Sequence, residues 1–407
     1  MTSDAGDRPR FPLKLFLFAF FGWAFDFYDL VLLGFLKDGV GRSLHLTEQG
    51  EAWVLGVALG ASGIGGIIAG ALADRFGRRT MLATTIFLYS LGSLVAGLAP
   101  NLAVFLLGRT IVGLGVGGEW AIGHAMVAEA VDKSLRGRGS ALLQSGEPVG
   151  VALAAIAGYL VAPHVGWRAV MIGSSATALL AVFARRSMHL PDEAPAARVR
   201  LRDVPVRKLG SRFARAWLLG VFKLGTYWTC YTWLPSFLVK EMHQGVAKSM
   251  TWMLTAQIGQ LSGMLVFGQV SDRLGRRPAF SVFSLLTATA IAPLAFAWRS
   301  LSDHPPLFWG AMLLLGFGSG CTAGFGALLA ELFPTEVRGL AMGTTYNMAR
   351  TAQLGAPLLV AWAVSRWDLA GGLSVPLILA LATASWVWTL PETRGIPLPT
   401  AAAPSAD

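Results

Sequence analysis

A chain of 407 residues that is 54% hydrophobic and only 14% charged falls well below the roughly one-quarter charged content of soluble globular proteins. Apolar runs of about 20 residues recur along it and predict a polytopic helical membrane protein. The net charge of +10 would suit a nucleic-acid binder. Here the basic residues lie between the apolar runs, where they set topology, and no nucleic-acid partner is expected.

In chain order the predicted spans are 12–36, 50–73, 80–98, 102–130, 139–162, 167–186, 214–239, 249–271, 279–298, 306–332, 339–363 and 371–390. The first follows a basic N-terminus, as in a signal peptide, but it lacks a small-residue cleavage site and is too long, so it reads as a span. Of the 33 Lys and Arg, 23 flank the termini and one alternate set of loops, seven flank the other set, and three lie within spans. The positive-inside rule then puts both termini in the cytoplasm of a plasma (inner) membrane. The longest loop, 187–212, rich in Arg and Pro, separates a half at 1–186 from a half at 213–407, with six spans in each. Cys230 and Cys321 lie in spans as packing residues. No metal site or cofactor is expected, and with no HExxH and no sizeable soluble domain neither is an enzyme.

The halves repeat each other. GALADRFGRR (Gly70 to Arg79) follows span 2, and GQVSDRLGRR (Gly268 to Arg277) follows span 8. Glu129 precedes Arg136 by the same seven positions as Glu331 precedes Arg338, and LPDE at Leu190 matches LPET at Leu390. Landmarks recurring in one order at a near-constant offset imply a duplicated unit, as in secondary transporters. Gly77 and Gly275 suit tight turns. Asp74 and Asp272 contribute nothing to orientation and suit a helix N-terminus or a salt bridge. With Arg75, Arg78, Glu129 and Arg136 in one half, and Arg273, Arg276, Glu331 and Arg338 in the other, they are the candidate cytoplasmic gate; for the arginines, a purely topological role stays open.

On these loop motifs the sequence resembles the major facilitator superfamily over nearly its whole length. RTIVGLGVGGEW (Arg109 to Trp120) is similar to that family's span-4 motif, and PETRG (Pro391 to Gly395) to a closing motif of several branches. The resemblance implies two six-helix bundles rocking around a central site.

A few ionisable residues remain inside spans: Asp26, Asp29, Glu119 and Glu147 as acids, Arg109, Lys223 and Arg350 as bases, with His124 as a packing residue. Each charge costs at least about 2.5 kcal/mol at the bilayer centre, so a shared hydrated cavity is expected. Asp26 and Asp29 are i,i+3 neighbours on one face. Two close carboxylates in low dielectric resist double ionisation, so at least one is expected to bind a proton. Proton coupling is therefore placed on Asp26, Asp29, Glu119, Glu147 and Arg109, with Glu119 neutralising Arg109. All four acids belong to the first half, whereas Lys223 and Arg350 belong to the second. A guanidinium and an ammonium suit an organic anion, so substrate binding is placed on Arg350, Lys223, Asn347, Tyr227, Gln257 and Gln260.

FDFYDLVLLG (Phe25 to Gly34) is similar to the first helix of the sialate, lactate and aromatic-acid proton symporters, whose common form is Asp-Gly-x-Asp; here Phe27 replaces the glycine. GLGVGGEW, LLQSGEPVG (Leu142 to Gly150) and GWRA (Gly166 to Ala169) are similar to the same branches. That implies import of a small carboxylate with a proton by a protein functional as a monomer. GEPVG (Gly146 to Gly150) also resembles the span-5 signature of drug–proton antiporters, which makes efflux the alternative.

Overall fold

A computed structural model describes residues 13–130, 142–177, 179, 206–240, 246–334 and 338–394. In the first half lie α1 (Leu13–Leu44), α2 (Glu48–Phe76), α3 (Arg78–Gly97), α4 (Leu102–Ala130), α5 (Gly146–Ile156) and α6 (Ala162–Ser174). A π-helical turn, Ala157–Val161, joins the last two, and the chain reverses at Gly166, whose φ is 81°. In the second half are α7 (Val206–Lys240), α8 (Val246–Leu274) and α9 (Arg276–Phe296). Next come α10 (Pro305–Ser319, resuming after a 3-10 turn as Phe325–Leu332) and α11 (Arg338–Thr351, resuming as Gly355–Arg366), then α12 (Ser374–Trp386). Most of the expected linker at 187–212 falls outside the described residues, and α7 already begins at Val206.

Seven helical stretches among the described residues are long and apolar enough to cross a membrane. The architecture is the all-α polytopic one expected. Within the first half α2 and α3 pack on α4, α1 on α5, and α3 on α6. Within the second α8 and α9 pack on α10, α9 on α12, and α7 on α11 and α12. Between the halves the contacts run α2 to α11, α5 to α8 and α1 to α7.

Lipid supplies no hydrophobic drive for helix association, so close backbone approach must do the work. A Cβ added at Gly117 of α4 would overlap the Ser62 carbonyl of α2, and one at Gly320 would overlap the backbone of Gly263 in α8. Large apolar side chains such as Ile64, Phe87, Leu107, Leu265 and Ile378 are left exposed, as a lipid-facing surface requires. The turns after α2 and α8 are made by Gly77 (φ 84°) and Gly275 (φ 107°), in a region only glycine enters without strain.

Candidate functional site

Gly22 and Asp26 lie one helical turn apart on α1, and there is no room for a side chain at Gly22 because the Glu119 carboxyl of α4 occupies that space. Glu119 and Asp26 are thereby brought within electrostatic reach of each other, both buried. Among the described residues no donor reaches any of their four carboxyl oxygens. Arg350 of α11 enters from the other half, within electrostatic reach of both acids, and its two terminal nitrogens have no hydrogen-bond partner among the described residues.

Asp29 takes a different neighbour. Its carboxylate accepts from Arg109 Nη1 at 3.2 Å and from the Ser93 hydroxyl, while Arg109 also donates to the Asp29 carbonyl at 3.3 Å. This pair is wholly buried and belongs to the first half alone. One sequence expectation is corrected here: Arg109 is neutralised by Asp29 and not by Glu119, while Asp26, with Asp29 still within electrostatic reach, has Glu119 as its stronger carboxyl neighbour. Residues i and i+3 differ by about 60° around a helix, enough to send one side chain toward α3 and α4 and the other toward the seam between halves.

A second cross-half cluster adjoins the first. Glu147 of α5 accepts from Gln260 Nε2 of α8 at 2.6 Å and from Gln144 Nε2 at 2.7 Å. Lys223 and Tyr227 of α7 lie beside it, and Lys223 is buried rather than reaching for the membrane surface. Tyr346 is within reach of Asp26, Arg350 and Glu147, and so links the two clusters. The Asn347 side chain rests on Gly66, and the Gln257 amide, one face-turn from Gln260, is buried without a partner among the described residues. Gln353 instead braces the α11 turn, donating to Val221 O at 3.2 Å.

Aromatic rings close the seam around these charges. Trp120, next to Glu119, stacks on Tyr346 at 4.2 Å and 10°. Phe27 stacks on Trp228 at 5.7 Å and 15°, and Tyr227 on Tyr231 at 4.6 Å. Sequence reading missed Trp120, Tyr346, Gln144 and Ser93. The signal for Tyr346 was its i−4 spacing from Arg350; Ser93 carries none, because a serine in an apolar helix looks like many others.

The gate residues are resolved unequally. In the second half Arg276 donates to Asp272 at 2.7 Å, to Glu331 at 2.8 and 3.1 Å, and to Ser271 at 2.7 Å, whereas Arg273 is exposed. Glu392, from the PETRG segment, accepts the backbone N–H groups of Arg276 and Arg277 at 2.8 and 3.0 Å and so caps α9. The Thr393 hydroxyl donates to Glu331 at 2.5 Å. Burial pushes the Glu392 carboxyl up, but four backbone N–H donors outweigh it and hold the group below the ordinary carboxylate value. In the first half the side chains of Asp74, Arg75, Arg78 and Glu129, with that of Arg338 in the second, lie outside the described residues, as does all of Arg136.

At the opposite end a contact unforeseen in the sequence joins the halves. Lys37, expected to lie in a loop, is buried inside α1, because that helix runs on to Leu44. Its Nζ is 3.4 Å from Glu51 and 3.9 Å from the ring centroid of Trp233 in α7.

The sequence matches the model of the Major Facilitator Superfamily over residues 15–322 and 243–406. It is 34% identical over 398 residues to a Cupriavidus pinatubonensis protein described as "Probable 4-methylmuconolactone transporter", covering 94% of this chain and 91% of that one. It is 30% identical over 377 residues to the niacin transporter NiaP of Acinetobacter baylyi, covering 83% and 84%. The fold matches a D-xylose-proton symporter with a TM-score of 0.75 at 19% identity, over 96% of this chain and all of that one. The chain belongs to the Major Facilitator Superfamily, and is a multi-pass membrane transporter and not an enzyme.

Proposed function

We propose that this protein imports a small organic acid together with a proton, and that it favours acids with a flat, conjugated body. The observation that carries the reading is Arg350: a buried guanidinium at the seam between halves with both terminal nitrogens unpartnered among the described residues. A carboxylate can take both at once. The Trp120–Tyr346 stack stands one helical turn from Arg350 and is the aromatic surface assigned here to the body of the acid. Niacin, the cargo in the name of one relative, is a ring bearing a carboxylate. Drug efflux draws no support from the comparisons. The loop-motif end is taken as cytoplasmic from the positive-inside count, so Arg276, Asp272 and Glu331 form a latch on that side.

In proteoliposomes an inward proton gradient should drive uptake of labelled nicotinate or benzoate, but not of xylose or a lipophilic cation. Losing charge-assisted hydrogen bonds worth about 1.5–3 kcal/mol should make Arg350→Ala bind the acid roughly ten- to a hundredfold more weakly. Unchanged binding by that variant would remove Arg350 from the site.

A further inference from the structure

Helix α8 sorts its residues onto three faces. A Cβ added at Gly259 or Gly263 would overlap the Leu313 or Phe317 carbonyl of α10, and one at Gly316 of α10 would overlap the Ala256 carbonyl, so this side of α8 lies against α10. Ile258, Leu261 and Leu265 are exposed, as lipid-facing side chains are. At about 100° per residue a third face remains, which carries Met253, Gln257, Gln260 and Met264, all buried. Gln260 shows where that face looks: its Nε2 donates to Glu147 of α5, across the seam, at 2.6 Å.

Both ends of the Gln257 amide, and Oε1 of Gln260, have no hydrogen-bond partner among the described residues. The neighbours fix which end of Gln260 is left over. An indole N–H can only donate, and that of Trp120 reaches Gln144 Oε1 at 3.3 Å, so Gln144 turns its N–H group to Glu147 at 2.7 Å. Glu147 thus accepts from Gln144 at one oxygen and from Gln260 at the other, and the Gln260 oxygen points away from it. A buried amide bonded at neither end is costly and calls for an occupant. Two acceptors and one amide donor suit a hydroxyl group, which both gives and takes a hydrogen bond. A second carboxylate would only set its own oxygens against two carbonyl oxygens.

We propose that Gln257, with the free oxygen of Gln260, is the specificity-determining end of the cargo site, and selects acids bearing a hydroxyl group remote from the carboxylate. The assignment rests on the reading of the protein as an organic-acid carrier and adds a second anchor to Arg350. Arg350 enters the seam from α11, which meets α2, and Gln257 from α8, which meets α5. Between them run the Tyr346–Trp120 stack at 4.2 Å and the bonds from Trp120 through Gln144 and Glu147 to Gln260. The body of the acid lies along that chain, with its carboxylate on Arg350 and its hydroxyl on Gln257.

The test is calorimetric titration of the purified full-length carrier with two pairs of acids that differ by one hydroxyl: benzoate and 4-hydroxybenzoate, then the longer cinnamate and 4-hydroxycinnamate. The wild type should bind the hydroxylated member of at least one pair roughly three- to tenfold more tightly, the worth of a neutral hydrogen bond. The pair that shows the preference measures the span between the anchors. Gln257→Met, of similar length and shape, should bring that ratio to about one. Without cargo the same variant should melt no lower than wild type, because it removes an amide that nothing bonds; Gln257→Leu repeats both measurements with a second apolar side chain. A wild type indifferent to the hydroxyl in both pairs overturns the assignment and leaves the organic-acid reading standing. A ratio that survives both variants overturns it too, as does a clear loss of melting temperature or of folded carrier in both, which would make the amide a brace of the fold. Binding of none of the four acids by the wild type overturns the organic-acid reading and this one together.

Discussion

Phe27 stands between Asp26 and Asp29 on α1, and its ring closes onto Trp228 and Tyr227 across the seam. Truncating it should lower thermal stability by about 3–5 kcal/mol and enlarge the space beside the acids. Phe27→Gly should therefore shift competition for uptake toward bulkier acids relative to nicotinate; an unchanged preference would place the ring outside the selectivity path. Arg109 makes a different prediction. Arg109→Gln alone strands a buried carboxylate and should cost on the order of 3–5 kcal/mol, whereas adding Asp29→Asn should recover much of it, a coupling measurable by thermal unfolding of all four proteins. The sequence made the embedded charges legible, since a charge in an apolar run is too costly to be idle. It did not make their pairing legible: Asp26 and Asp29 share a helix face, yet neighbours from α3, α4 and α11 decide which acid meets which partner. Lys37 was missed for a related reason. The apolar run stops at Leu36, but α1 continues for two more turns and buries the lysine against Trp233.

Among the helices, the two copies of the loop motif were the clearest message, and their glycines do take the positive φ that a tight turn needs. What the motif could not announce is that the second copy is completed by a distant segment. Glu392 supplies the helix cap that Gly275 lacks, and Thr393 reaches the same Glu331 that holds Arg276. Glu392→Gln should lower thermal stability by about 1 kcal/mol, the usual worth of a cap. Its folded carboxyl lies below the ordinary value of 4.5. Its contribution is therefore complete above that pH and fades as the pH falls through the depressed folded value, so the variant should lose less stability than wild type on acidification. Thermal unfolding across acidic pH checks both. The interruptions of α10 and α11 escaped the sequence reading because neither 320–324 (Gly-Cys-Thr-Ala-Gly) nor 352–354 (Ala-Gln-Leu) holds a proline or a charge that would mark a break in the run.

For the whole molecule, the decisive contact is α2 against α11. Added side chains at Gly56, Gly60, Gly63 and Gly66 would run into Leu354, Thr351 and Asn347 in turn. One turn further toward the loop motif, a Cβ at Gly70 or at Gly343 would meet no described atom within 4 Å. Among the described residues the tight glycine contacts between the halves thus run from the Lys37 end to mid-membrane. A cysteine at Gly343 should react with a thiol reagent faster than one at Gly60, against the buried background of Cys230 and Cys321; equal rates would mean the seam closes along its whole length. The duplicated sequence foretold two halves but not which helices join them, because glycine recurs in most of the spans. A stripe of tight contacts confined to one end of the seam also offers a foothold for a blocker: a small antibody fragment lodged between Gly70 and Gly343 should hold the halves in this arrangement without touching Arg350, whatever cargo is present.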